Sequence, residues 1–211
     1  MRHFIQVIVV LSVVLSVLAN ASAIAQERKK TPALREQVYS QLARAQQLAD
    51  EGDVQAGLQA LNNVESKLSS MNSYERAMLW NFYGYMYYGQ DDIAKAMSYF
   101  DKVTKEEAIP EALEQNTLFS LAQLALGQGD YVKTLAYLDQ WEQLVGAEQK
   151  QKSYVLKAQA LYQKGDYQQA LKPISTAINA VEAKQQVPEE NWLVLQRAVF
   201  FELEQTDNVA K

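Results

Sequence analysis

Acidic pairs are the residues of this chain whose type and spacing come nearest to chemistry: Asp91-Asp92, Glu106-Glu107 and Glu189-Glu190. Adjacent carboxylates can ligate a hard cation, and two carboxylates facing each other across a cleft can hydrolyse a glycosidic bond. Their neighbours point elsewhere. Each pair lies at a turn or before an amphipathic stretch, where acids favour the positive end of a helix dipole, so the pairs read as helix starts and solvated surface. Gly127-Gln128-Gly129 lacks the Lys and the preceding strand of a phosphate loop and reads as a turn. A two-carboxylate glycan hydrolase also needs a cleft-forming fold, for which the sequence gives no sign.

Other reactive groups are scarce. There is no Cys, and His3 is the only His. If the segment around His3 is removed, neither thiol nor imidazole remains, which excludes thiol nucleophiles, Ser-His-Asp triads, His- or Cys-ligated zinc and disulfides. No catalytic residue, metal site or cofactor is expected. Lys and Arg number 20 against 25 Asp and Glu, a formal net charge of −5. That balance argues against nucleic acid, whose phosphates need accumulated cations.

The elements that hold these residues are more informative. An apolar fraction of 48% supplies a continuous core rather than disorder. At the start, Arg2 precedes the apolar run Phe4 to Leu18, and Ala21-Ser22-Ala23 or Ala23-Ile24-Ala25 offers the small residues of a cleavage site. The run has 15 residues, short of the roughly 20 that span a bilayer. Residues 1–25 therefore read as a secretory signal peptide, and no Cys follows to carry a lipid. Export to the periplasm without a stable membrane anchor is expected. Residues 26–35 form a charged leader in which Pro32 suits a first helical turn.

Beyond it a punctuation recurs. Gly52-Asp53, Asp91-Asp92, Gly129-Asp130, Gly165-Asp166 and Thr206-Asp207 start 39, 38, 36 and 41 residues apart. Periods of this size indicate a solenoid. Between the marks the apolar pattern is helical, not alternating. Gly should end one helix in a left-handed cap, and the following Asp should accept N–H groups that open the next.

Trp80, Gly84, Tyr87, Ala96 and Phe100 follow one another at intervals of 4, 3, 9 and 4. Ala158, Leu161, Ala170 and Ile174 repeat the register, as do Ala122, Ala125 and Leu138. This pattern resembles the tetratricopeptide (TPR) repeat, with small residues where paired helices cross and large ones beside them. The resemblance implies an all-α, right-handed solenoid of about four helix-turn-helix repeats plus an incomplete fifth. We place the repeats at 36–70, 74–108, 112–146, 150–184 and 189–211. Two positions depart from the pattern: Gly57, which costs about 1 kcal/mol relative to Ala inside a helix, and Thr134. Extended connections fall at Lys105 to Pro110 and Ala183 to Pro188. The fifth unit has a helix from about Glu189 to Leu203 and a turn at Thr206-Asp207. Its apolar residues Trp192, Leu193, Leu195, Val199, Phe200 and Leu203 are too many for one neighbour, so the chain is expected to be the N-terminal part of a longer protein or a truncated product, or else to dock a second copy or a partner on this helix.

In a TPR array the first helix of each pair lines the inner groove. The Trp80 register then assigns a partner-binding groove to Asn81, Tyr85, Tyr88, Phe119, Gln123, Gln159 and Tyr162, while Tyr83 and Tyr87 fall in the core. Such a surface of amides and aromatics, nearly free of charge, suits an extended peptide. Asn81, Asn116 and Ser120 stand where chaperone-binding members carry a carboxylate clamp, so capture of an acidic C-terminus is not expected.

Three stretches carry a closer resemblance. These are Trp80-Asn81-Phe82-Tyr83-Gly84-Tyr85 running on to Tyr88-Gly89-Gln90-Asp91; Ile109-Pro110-Glu111 with Thr117-Leu118-Phe119-Ser120-Leu121-Ala122-Gln123-Leu124; and Glu190-Asn191-Trp192 with Leu195-Gln196-Arg197-Ala198-Val199. They are similar to exported TPR proteins associated with TonB–ExbB–ExbD systems of gammaproteobacteria. That resemblance implies a non-catalytic scaffold accessory to TonB-dependent uptake, with TonB-system components among its partners. The alternative is a chaperone-like TPR factor in envelope assembly or cell-wall enzyme regulation.

Overall fold

The computed structural model describes residues 30–209, with side chains as far as Glu204. The chain divides into units 1–31 and 32–211. Of the first only Lys30 and Thr31 are described, so the signal peptide assigned to 1–25 lies outside the described residues.

Among the described residues the second unit holds nine α-helices, one short 3-10 turn and no strand. They run α1 (Glu36–Asp50), α2 (Val54–Glu65), α3 (Ser73–Gly89), α4 (Ile93–Thr104), α5 (Glu111–Gly127), α6 (Tyr131–Leu144), α7 (Ala147–Lys164), α8 (Tyr167–Glu182) and α9 (Glu190–Val209). α1 packs on α2, α3 on α4, α5 on α6 and α7 on α8. Each pair meets the next, so that α4 touches α5, α6 touches α7 and α8 touches α9. None of these helices is long and apolar enough to cross a membrane.

The turns work by the expected division of labour. Gly52, Gly129 and Gly165 take φ of +96°, +74° and +86°, a region where a side chain would be strained. In the second repeat Asp91 fills that role at φ +60°. The next carboxylate then caps: Asp53, Asp92 and Asp130 accept the backbone N–H of Ala56, Lys95 and Lys133. Asp166 makes no such cap, and its carboxylate receives Lys164 Nζ.

The register residues are core. Ala96, Ala122, Ala125, Leu138, Ala158, Ala170 and Ile174 are fully buried, and Trp80, Phe100 and Leu161 nearly so. At Gly84 the helices of the second pair approach so closely that a Cβ would stand 2.5 Å from the Phe100 ring. Thr134, a departure from the pattern, is buried with its hydroxyl donating to the Asp130 carbonyl at 2.9 Å.

Four expectations need correction. Gly57 is no tolerated defect, since a Cβ there would sit 2.8 Å from the Ala45 carbonyl oxygen and crowd Met86. Pro32 lies before the helix, which opens only at Glu36 because Arg35 is held extended. The Arg35 backbone N–H and guanidinium both donate to Glu75, and Asn72 donates to the Ala33 carbonyl. Glu106 is neither solvated nor a helix start. It follows α4, is 14% exposed, accepts a fork from Arg76 with a closest approach of 2.6 Å, and accepts the Trp80 indole N–H at 3.3 Å. Finally, α9 runs through Thr206-Asp207 to Val209, where no Gly offers a left-handed stop. One side of α9 is covered, with Trp192, Leu195, Val199 and Leu203 packed into the last core clusters. Leu193, Val194, Phe200 and Phe201 remain exposed.

Candidate binding groove

After Tyr74 in its first turn, α3 carries aromatics at 80, 82, 83, 85, 87 and 88, and a helix turns about 100° per residue. Trp80, Tyr83 and Tyr87 therefore share a face that Tyr85 and Tyr88 cannot share. On that face Tyr99 of α4 lies against all three, with ring centroids 6.0, 4.5 and 5.5 Å away. Lys102 Nζ stands 4.3 Å from the Tyr99 ring centre and 4.5 Å from that of Trp80. Lys95 covers Tyr87 at 4.9 Å. The Tyr83 hydroxyl donates to Glu65 Oε2 at 2.8 Å. Burial, reinforced by that carboxylate, pushes its phenol pKa far above the usual range, so it stays a neutral donor. Tyr137 of α6 repeats the device at the next interface. Its hydroxyl meets Asp101 Oδ1 at 3.0 Å, and burial together with Asp101 pushes its pKa up to about 12. These tyrosines are structural.

Tyr85 and Tyr88 are different, at 51% and 52% exposed. Tyr85 sets its ring edge-on to buried Phe100 at 5.2 Å. The two tyrosines, Phe100, Ser120, Gln123 and Leu124 enclose a depression of about 410 Å³ between α3 and α5. It opens at one end onto a second hollow of about 390 Å³ that adds Asp91, Ile93, Gly127 and Gln128. At the other end it joins a third of about 490 Å³, lined by Tyr85, Gln115, Asn116, Phe119, Ser120, Trp141, Gln149 and Lys152. The central depression shares Tyr88, Gln123 and Leu124 with the second hollow and Tyr85 and Ser120 with the third, and so links the two into one groove.

Of the seven residues assigned from sequence, Tyr85, Tyr88, Phe119 and Gln123 come together here. Asn81 is half-buried one turn before Tyr85 and does not line the hollows. Gln159 is exposed on α7, and Tyr162 packs on Tyr167 at 5.5 Å, both outside this groove. Sequence reasoning missed Phe100, Trp141, Gln149 and Lys152. Trp141 is on the second helix of its pair and reaches the groove by packing on Phe119 at 5.1 Å. Lys152 breaks the expectation of a nearly uncharged lining. No group of three or more acidic or His side chains capable of holding a metal exists among the described residues.

Among solved structures the fold is similar to the apo form of RapI, with a TM-score of 0.58 and 14% identity over 82% of this chain. This chain spans 65% of RapI's length. It is also similar to a Podosopora anserina protein named for kinesin light chain and built of nearly identical TPR-like repeats. There the TM-score is 0.56 and the identity 17%, over 82% of this chain and 88% of that one. A single-substitution variant of that protein gives 0.58 and 15%, over 83% and 90%. No family profile matches the sequence, and no curated protein matches it. The likeness is one of architecture: this is a TPR-like helical solenoid.

Proposed function

We propose that this chain is a non-catalytic protein-binding scaffold that holds an extended segment of a partner in the groove between α3 and α5. The observation that carries the reading is the pair Tyr85 and Tyr88, two large rings left half in solvent beside a chain of amides and hydroxyls. Rigid rings give contact area at little entropic cost, and Asn, Gln and Ser can pair with the N–H and C=O of a partner backbone. Within the acidic pairs, Asp92 caps a helix, the Asp91 backbone makes a turn and Glu106 is occupied by Arg76 and Trp80.

The similarity to exported TonB-associated proteins supports a finer reading, in which the scaffold works in the periplasm as an accessory to TonB-dependent uptake. The apolar strip Leu193, Val194, Phe200 and Phe201 on α9 supports a second contact face, through which the chain self-associates.

The full-length protein, expressed in a gammaproteobacterial host and crosslinked in the periplasm, should retain TonB-system proteins, and Tyr85→Ala with Tyr88→Ala should lose them while staying folded. Equal capture by both proteins contradicts the groove. Recovery of unfolded outer-membrane proteins instead contradicts the TonB role and favours the chaperone-like alternative. Sedimentation of wild type and of Phe200→Ser with Phe201→Ser tests α9, and two identical monomeric profiles exclude self-association there.

A further inference from the structure

The groove has unlike ends. At one, Lys152 lies exposed at the mouth among the neutral amides Gln115, Asn116 and Gln149. At the other, Asp91 is exposed beside Tyr88 and Gln128. Neither charge forms an ion pair among the described residues. Between the ends lie the apolar floor of Phe100 and Leu124 and the two tyrosines. From Gln115 to Gln128 the α5 wall is about 20 Å long at the helical rise, which corresponds to roughly six residues of extended chain.

We infer that the groove is polar in register: it accepts an extended segment of about six residues that carries an acidic side chain at the Lys152 end, a large apolar side chain over Phe100 and a basic side chain at the Asp91 end. The inference rests on the groove reading above and adds to it the charge order of the partner. A single Lys among uncharged amides suits one internal carboxylate, because it provides a point charge without a bidentate fork. Asp91 is free to serve the opposite end because capping falls to Asp92.

The test uses the full chain and blocked six-residue peptides, with Leu at an inner position and Ser elsewhere, measured by calorimetry. One set ends in Asp and Lys in either order, a second in Ser at both ends, and a third in Lys at both ends. Exposed charge contacts of this kind change affinity by a factor of roughly 1.5–5 each. Lys152→Gln and Asp91→Asn should each weaken the mixed-charge peptide by that factor, less at high salt, and leave the Ser-ended peptide unchanged. Lys152→Glu should strengthen binding of the peptide with Lys at both ends by a factor of the same size, roughly 1.5–5. If both charge variants bind the mixed peptide like wild type while Tyr85→Ala with Tyr88→Ala binds neither peptide, the charge order is wrong and the groove stands. If the tyrosine variant also binds like wild type, both readings fall. Failure of every peptide to bind wild type overturns the proposed segment, while partner capture that still depends on the two tyrosines would leave the groove intact.

Discussion

The two faces of α3 are built from the same residue types and serve different ends. On one, Trp80, Tyr83 and Tyr87 lie against Tyr99, with Lys102 and Lys95 over the rings. On the other, Tyr85 and Tyr88 stand half in solvent with only Phe100 and Leu124 beneath them. A tyrosine is therefore neither core nor contact surface by type. Its angular position on the helix, and what the neighbouring helix sets against that angle, decide which it becomes.

The strongest way to break this comparison is to remove a ring from the packed face. Trp80→Ala takes away a side chain that is 7% exposed and should cost about 3–5 kcal/mol, read as a lower urea midpoint. The close crossing sharpens the same point. Gly84→Ala drives a Cβ into the Phe100 ring and should destabilise by about 1–3 kcal/mol. Gly57→Ala should also destabilise, although Ala is the better helix former by about 1 kcal/mol, because the obstacle at 2.8 Å is backbone.

At the start of α3, Glu75 is fully buried, and its pKa is held below the ordinary 4.5 chiefly by hydrogen bonds from Arg35. A depressed carboxylate contributes stability in full above its unfolded pKa, and that contribution is lost as pH falls through the folded value. Wild type should thus lose stability on acidification below about 4.5, whereas Glu75→Gln should start about 1–3 kcal/mol lower and lack that part of the acid loss. A pH series of urea melts on both proteins checks it. A smaller effect is expected at Lys102→Ala, where loss of the cation over two rings should cost about 0.5–1 kcal/mol.

Much of the packed face was legible in the chain itself. The spacing of Trp80, Gly84, Tyr87, Ala96 and Phe100 is a local record of where helices cross, and Gly52, Gly129 and Gly165 mark backbone angles that a side chain resists. What escaped is whatever depends on a neighbour distant in sequence. Glu106 looks solvated until Arg76, 30 residues earlier, is brought to it. Gly57 looks costly until the Ala45 carbonyl is opposite. Tyr99 sits in the second helix of its pair, and no spacing within α3 announces that it joins three rings. The groove was half legible for the same reason. Tyr85, Tyr88, Phe119 and Gln123 follow from the helical register of first helices, but Trp141 and Lys152 come from the next crossing. Gln159 and Tyr162 occupy equivalent register positions on α7 without joining the groove, since Tyr162 turns onto Tyr167.

One experiment addresses the division of α3 most directly: urea unfolding of wild type, Trp80→Ala and the double variant Tyr85→Ala with Tyr88→Ala, side by side with partner capture. The account predicts a midpoint for the double variant close to that of wild type, with capture lost, and a large drop for Trp80→Ala. A double variant that unfolds as early as Trp80→Ala would show that the two exposed rings hold the fold together, and the groove would lose its claim to function.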